Sequence, residues 1–137
     1  MKITINKNLL NAVFVLEDDP GRIGWFKRKF ADVPVLFITK DTNEAISNLH
    51  STKFDIIFLD HDLDCEEDML ADERIQAGIH FPNGLRVAEE IRNTINQQTP
   101  CIIHSMNPTG AGNMVKAHPF EVSAVPYHIL RTALEVV

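Results

Sequence analysis

Apolar and polar positions alternate along this chain in long blocks. "NAVFVL" (Asn11–Leu16), "VLFIT" (Val35–Thr39), "FDIIFL" (Phe54–Leu59) and "CIIHSM" (Cys101–Met106) each contain a short apolar run. Each reads as a strand buried on both faces. Between them the apolar residues fall at helical spacing. Ile23, Phe26 and Phe30 share one face of a helix over "RIGWFKRKF", and Ala45, Ile46 and Leu49 share one behind a capping Asp41. Leu85, Ala88, Ile91 and Ile95 share another in "NGLRVAEEIRNTIN". "TGAGNMVKAH" predicts a loop running into a short helix. "EVSAV" predicts a fifth strand, and "YHILRTALEVV" a last helix with Ile129, Ala133, Leu134 and Val137 on one face. Five βα units predict an α/β fold: a five-stranded parallel sheet with helices on both faces. The expectation is one domain over 1–137, with residues 1–10 as an N-terminal extension in which "KITIN" adds an edge strand. About twenty residues separate Asp60 from the helix near Asn83, against roughly 2–6 in most such connections. Residues 64–82 therefore read as an insertion after the third strand.

The strand ends change the picture from architecture to chemistry. In an open α/β sheet, ligands bind beyond the carboxyl ends of the strands. There the first strand runs into Glu17, Asp18 and Asp19, the third into Asp60, His61 and Asp62, and the fourth into His104, Ser105, Met106 and Asn107. Carboxylates gathered at one rim repel each other unless a cation or a proton intervenes. Oxygen donors of this kind suit a hard divalent ion, Mg²⁺ or Mn²⁺. His61 and His104 are either general acids or bases, since imidazole titrates near neutrality, or histidines hydrogen-bonded to neighbouring loops. His80, inside the insertion, is a weaker candidate. Backbone N–H groups at Gly110 and Gly112 can cradle a phosphate where loop becomes helix, with Asn107 and Asn113 as further donors or as caps. The basic run Lys27–Lys29, with Arg22 nearby, reads as a solvated helix face or as a patch guiding an anion to the rim. Trp25 and Phe26 read as packing residues.

Composition narrows the classes of function. The net charge of −6 excludes a broad electrostatic field for nucleic acid, so a phosphate or RNA end must be attracted locally. No apolar run approaches the roughly 18 residues of a membrane span. "MKITINKNLL" has no h-region, which predicts no secretory signal. Cys65 and Cys101 read as free thiols of a reducing, cytoplasmic compartment.

"VFVLEDDPGR", "DIIFLDHDLD" and "CIIHSM" resemble the receiver domains of response regulators, over nearly the whole chain after residue 10. The resemblance implies the receiver (flavodoxin-like) fold. It implies Mg²⁺ held by Glu17, Asp18, Asp60 and the backbone carbonyl of Asp62, with Asp60 as phosphoacceptor and Ser105 contacting the phosphoryl group. One departure stands out: receivers carry Lys-Pro at strand five, and here the pair is Val125-Pro126. Valine supplies no charge, and Lys116 is the nearest lysine in sequence. "LEDD", "LDHDL", the insertion and "HSMNPTGAGNM" are similar to a narrower branch, the cyclic-phosphate-processing receiver domains. That similarity implies action on cyclic phosphates, at RNA 2′,3′-cyclic phosphate ends or in cyclic nucleotides, with a link to RNA repair. Asp60, His61, His104 and Ser105 are the catalytic candidates, with Asp60 either a metal ligand or a nucleophile. A Mg²⁺-supported hydrolase or transferase that opens a cyclic phosphate is the leading expectation. A non-catalytic phosphate or protein-binding module, docking through the insertion, and an atypical signalling receiver are the alternatives.

Overall fold

A computed structural model describes residues 1–63, 83–118 and 120–137. Seven strands are present among them: β1 Ile3–Ile5, β2 Ala12–Leu16, β3 Val35–Thr39, β4 Ile56–Leu59, β5 Cys101–Ile103, β6 Val122–Ala124 and β7 Leu134–Val136. The α-helices are α1 Pro20–Lys29, α2 Thr42–Ser51, α3 Gly84–Glu90, α4 Pro108–Ala117 and α5 Tyr127–Ala133. Five strands form one parallel sheet in the order β3-β2-β4-β5-β6. The order reverses at β2, where a doubly wound sheet opens its ligand crevice.

Two apolar layers cover the sheet because neighbouring strand residues face opposite ways. Phe14, Leu16, Ile57, Leu59 and Ile103 pack with Ala45 and Leu49 of α2, Val87 and Ala88 of α3, and Met114 of α4. Val13, Val15, Ile56, Phe58 and Ile102 pack with Phe26 and Phe30 of α1 and Leu130 of α5. Asp19 caps α1 by accepting from the Arg22 N–H (2.9 Å), and Asp41 caps α2 by accepting from Asn43 (2.8 Å) and Glu44 (3.0 Å). Such caps satisfy amides that have no partner inside the helix.

Three sequence expectations are corrected here. "KITIN" does form a strand, but β1 pairs with β7 in a separate two-stranded parallel sheet, not with the edge of the main one. The last helix stops at Ala133, and Leu134–Val136 becomes that partner strand. Leu134 is buried in the α1/α5 layer, which a residue can reach from either conformation. The helix over "NGLRVAEEIRNTIN" ends at Glu90 and tightens into a 3₁₀ turn over Ile91–Asn93. Ile95 is left 52% exposed. Asn96 competes with the helix there. Its Oδ1 accepts from the Phe54 N–H (2.8 Å), and its Nδ2 donates to the carbonyls of Leu49 and Thr52 (2.7 Å each). Residues 64–82, with Cys65, His80 and the expected lid or partner-binding insertion, lie outside the described residues.

Candidate functional site: a carboxylate row at the strand ends

Register alone assembles the centre. Leu16 of β2 lies beside Leu59 of β4, and Leu59 lies beside Ile103 of β5. The next residue of each strand is therefore Glu17, Asp60 and His104. The ladder continues past the last paired residues, with Asp60 N–H donating to Leu16 O (3.1 Å) and His104 N–H to Leu59 O (3.0 Å). Alternation sends all three side chains to the α1/α5 face, in step with Val15, Phe58 and Ile102. They are buried, and one ligand atom from each lies within 4.8 Å of the others.

The electrostatic consequence is a shared proton. Burial raises Glu17 to about 7. Burial, followed by the charge of Glu17, raises Asp60 to about 7 as well. Two carboxylates so placed cannot both ionise cheaply, and they titrate as a pair. Burial also depresses His104, to about 4, against the pull of Asp60. His104 is therefore neutral near pH 7. Its Nε2 is hydrogen-bonded to Glu17 Oε2 (3.2 Å), and its ring packs on Phe26. Neither Glu17 Oε1 nor His104 Nδ1 finds a hydrogen-bond partner among the described residues.

In front of the row lies a cleft of about 280 Å³, lined by Asp18, Asp19, Arg22, Asp60, Asp62, Leu63 and Met106. Of the two readings open for the basic residues of α1, a solvated face or a patch at the rim, Arg22 takes the second: its Nη1 lies 3.5 Å from Glu17 Oε1 and 3.7 Å from Asp60 Oδ2. Its guanidinium also lies 4.9 Å from the centroid of the Tyr127 ring. The signal was present in the spacing. Arg22 stands four residues before the buried Phe26 and eight before Phe30, so it extends the inward stripe of α1. Lys27 and Arg28 are exposed.

The loop histidine is held differently. His61 Nδ1 contacts Asp62 Oδ1 at 2.7 Å, and Asn107 Nδ2 lies 3.4 Å from the same oxygen. The His61 backbone N–H donates to Asp60 Oδ1 (2.9 Å), and its carbonyl accepts from the Gly84 N–H (3.0 Å). Two glycines permit this packing. A Cβ on Gly84 would collide with the Asp60 carbonyl, and one on Gly110 would lie 2.5 Å from His61 Cγ.

Several expected site residues are placed otherwise. His104 is fully buried behind Glu17, so it orients that carboxylate and does not face the cleft. His104 and Ser105 are both buried, as neighbours can be where a sheet is covered on both faces; the strand itself ends at Ile103. Ser105 Oγ accepts from the Asn107 N–H (3.0 Å). Asn107 caps α4, with its Oδ1 accepting from the Gly110 N–H (3.0 Å), so that amide is already engaged. Gly112 is the fifth residue of α4, where the amide bonds within the helix. It cannot join a phosphate cradle. Asn113 and Lys116 line a separate groove with Leu85, Glu89 and Arg92. Val125, at the strand-five position, is 3% exposed in the α1/α5 layer.

These features carry the comparison with known proteins. The model of the cyclic-phosphate processing receiver domain matches residues 14–118. The chain belongs to that family. No curated protein sequence matches it. Among solved structures, this cyclic-phosphate-processing receiver domain is similar to a CheY-like response regulator receiver domain from Methylobacillus flagellatus. The TM-score is 0.61 at 12% identity, covering 90% of this chain and 92% of the other. It is similar to the receiver domain of a sensor histidine kinase from Pseudomonas aeruginosa PAO1 (TM-score 0.61, 17% identity, 90% and 96% covered). That structure has a magnesium ion coordinated in its active-site cleft. A response regulator from Thermotoga maritima in complex with Mg²⁺ and BeF is also similar (TM-score 0.57, 18% identity, 90% and 95% covered). Identities this low establish the receiver fold. No helix of the described residues is long and apolar enough to cross a membrane.

The donor set fits a hard divalent cation. The buried pair Glu17 and Asp60 shares a proton that a cation would replace, Glu17 Oε1 has no hydrogen-bond partner among the described residues, and Asp18 and Asp62 line the cleft beside them.

Proposed function

We propose that this domain binds a cyclic phosphate, at an RNA 2′,3′-cyclic phosphate end or in a cyclic nucleotide, in the cleft before Asp60 and opens it by hydrolysis. Carboxylates of Glu17, Asp18 and Asp60 and the carbonyl of Asp62 would hold Mg²⁺ or Mn²⁺. The ion, when bound, supplies Lewis-acid polarisation of a phosphoryl oxygen. The observation that carries the reading is the pairing of Asp60 with Glu17 beside Arg22, the one cation lining the cleft among the described residues, with no lysine at strand five. The substrate class comes from the family's description. A cytoplasmic setting is in keeping with the buried free thiol of Cys101.

His61 is the group suited to move the proton. With Nδ1–H donating to Asp62, Nε2 is left as the base. A water oxygen bonds to phosphorus as a ring P–O bond breaks, its proton passes to His61, and the leaving alkoxide is protonated in turn. Ser105 and Asn107 stay phosphate-contact candidates beside the cleft, through hydroxyl and side-chain amide. His104 acts by holding Glu17. Asp60 as a nucleophile would need its charge free of Glu17, which the shared proton opposes.

The test pairs binding with product formation, using 2′,3′-cyclic nucleotides, cyclic-phosphate-ended oligoribonucleotides and Mg²⁺. Turnover lost on Asp60→Asn supports the reading. Binding without turnover across the panel replaces it with a binding module, which the burial of His104 away from the cleft favours.

A further inference from the structure

Arg22 is the one cationic side chain among the described residues that line the Asp60 cleft. Its contacts to Glu17 Oε1 (3.5 Å) and Asp60 Oδ2 (3.7 Å) exceed the 2.7–3.2 Å of a formed N–H···O bond. The guanidinium neutralises the pair without being locked to it. Its second support is the Tyr127 ring at 4.9 Å, a contact that does not depend on the carboxylates. Tyr127 is itself fixed, by its N–H donating to His104 O (3.0 Å) and by Trp25 packed edge-on. It stands two residues beyond Val125, so it occupies the strand-five exit. The carboxylate oxygens that Arg22 approaches are the ones a divalent ion requires. Two cations cannot share them closely without repulsion.

We propose that Arg22 is an exchangeable counter-charge: it neutralises Glu17 and Asp60 until a divalent cation takes that place, and then, held by Tyr127, binds the anionic phosphate of the ligand. This rests on the metal site of the proposed function but not on its chemistry. It supplies from α1 the positive charge that Val125 cannot supply from strand five. A planar guanidinium suits paired phosphate oxygens better than an ammonium.

The exchange predicts effects of opposite sign. Calorimetric titrations would use Mg²⁺ alone, then inorganic phosphate in saturating Mg²⁺, on the parent chain, Arg22→Ala, Arg22→Lys and Lys27→Ala, the last an exposed residue of the same helix. Arg22→Ala should bind Mg²⁺ about tenfold tighter, because a competing cation is gone, and phosphate at least tenfold more weakly, the scale of one charge-assisted hydrogen bond. Arg22→Lys should keep part of each effect, and Lys27→Ala should show neither. Circular dichroism confirms that each variant is folded. If Arg22→Ala lowers both affinities together, or leaves either unchanged, Arg22 is a structural ion pair and the exchange is wrong. Should the parent bind no phosphate with Mg²⁺ present, the anion half fails. Opposite shifts in a protein that turns over no cyclic phosphate would keep the exchange and discard the hydrolase.

Discussion

Replacing Asp60 by Asn should stabilise the metal-free protein at alkaline pH. A buried carboxyl raised from 3.8 to about 7 binds its proton more tightly folded than unfolded. Its stability contribution is therefore present at low pH and is lost as pH rises from about 4 through 7. A shift of about three units corresponds to a ceiling of about 4 kcal/mol. Glu17 and Asp60 share one proton, so that cost is counted once for the pair. A gain of about 2–3 kcal/mol for Asp60→Asn at pH 8 is the reasonable expectation, or roughly 8–12 °C in Tm for a chain of this size. The gap should narrow strongly by pH 5, where the folded parent carboxyl is already protonated, and close only below about pH 4, where the unfolded carboxyl is protonated too. His104 works the other way: held near 4, it refuses a proton that the unfolded chain accepts, so stability falls as pH drops from 6.5 to 4. Present in both proteins, that slope largely cancels in the difference. Denaturant unfolding of both at pH 5, 6.5 and 8 in EDTA measures it. Saturating Mg²⁺ should then stabilise the parent at pH 8, by about 2.7 kcal/mol at a hundred times Kd, and Asp60→Asn much less. An Asp60→Asn variant no more stable than the parent at pH 8, with a pH-independent gap, would refute the shared-proton centre. So would equal Mg²⁺ stabilisation of the two.

Gly110→Ala should displace His61 and cost about 1–3 kcal/mol, since its Cβ would meet the ring at 2.5–2.7 Å; Gly112→Ala, with nothing within 4 Å, should gain up to about 1 kcal/mol, and a loss of phosphate binding in it would restore the glycine cradle. If cyclic phosphates are turned over, His61→Gln should lower the rate about 10²–10⁴-fold with ligand affinity little changed, whereas His104→Gln should act through Mg²⁺ affinity; steady-state rates beside calorimetry separate them, and equal rates in His61→Gln and the parent would remove that histidine. Val125→Lys should destabilise by about 3 kcal/mol or more, because it buries an ammonium in the α1/α5 layer, and the parent should label poorly with acetyl phosphate. Denaturant midpoints and radiolabel incorporation check both.

The sequence by itself determined the strands and their order of use. Runs such as Ala12–Leu16 and Ile56–Leu59 are apolar without alternation, and only a sheet covered on both faces buries such runs. It also determined that Glu17, Asp60 and His104 end three of those strands. Tertiary structure decided which of the rim residues meet. Parallel register set Glu17 beside Asp60 and Asp60 beside His104, and alternation then turned His104 inward to Glu17 instead of outward to a ligand. The role of Arg22 was half legible, in its spacing from Phe26, but a helix face gives no distance to a strand end three residues before the helix begins. The cluster of glycine and asparagine around Gly112 reads as loop; the Asn107 cap, accepting from the Gly110 N–H, starts the helix at Pro108 and leaves Gly112 inside it. The last helix became strand at Leu134 because β1, far off in sequence, offered a parallel partner. Local propensity records what a residue prefers alone, and partners brought from a distance decide between conformations of similar energy.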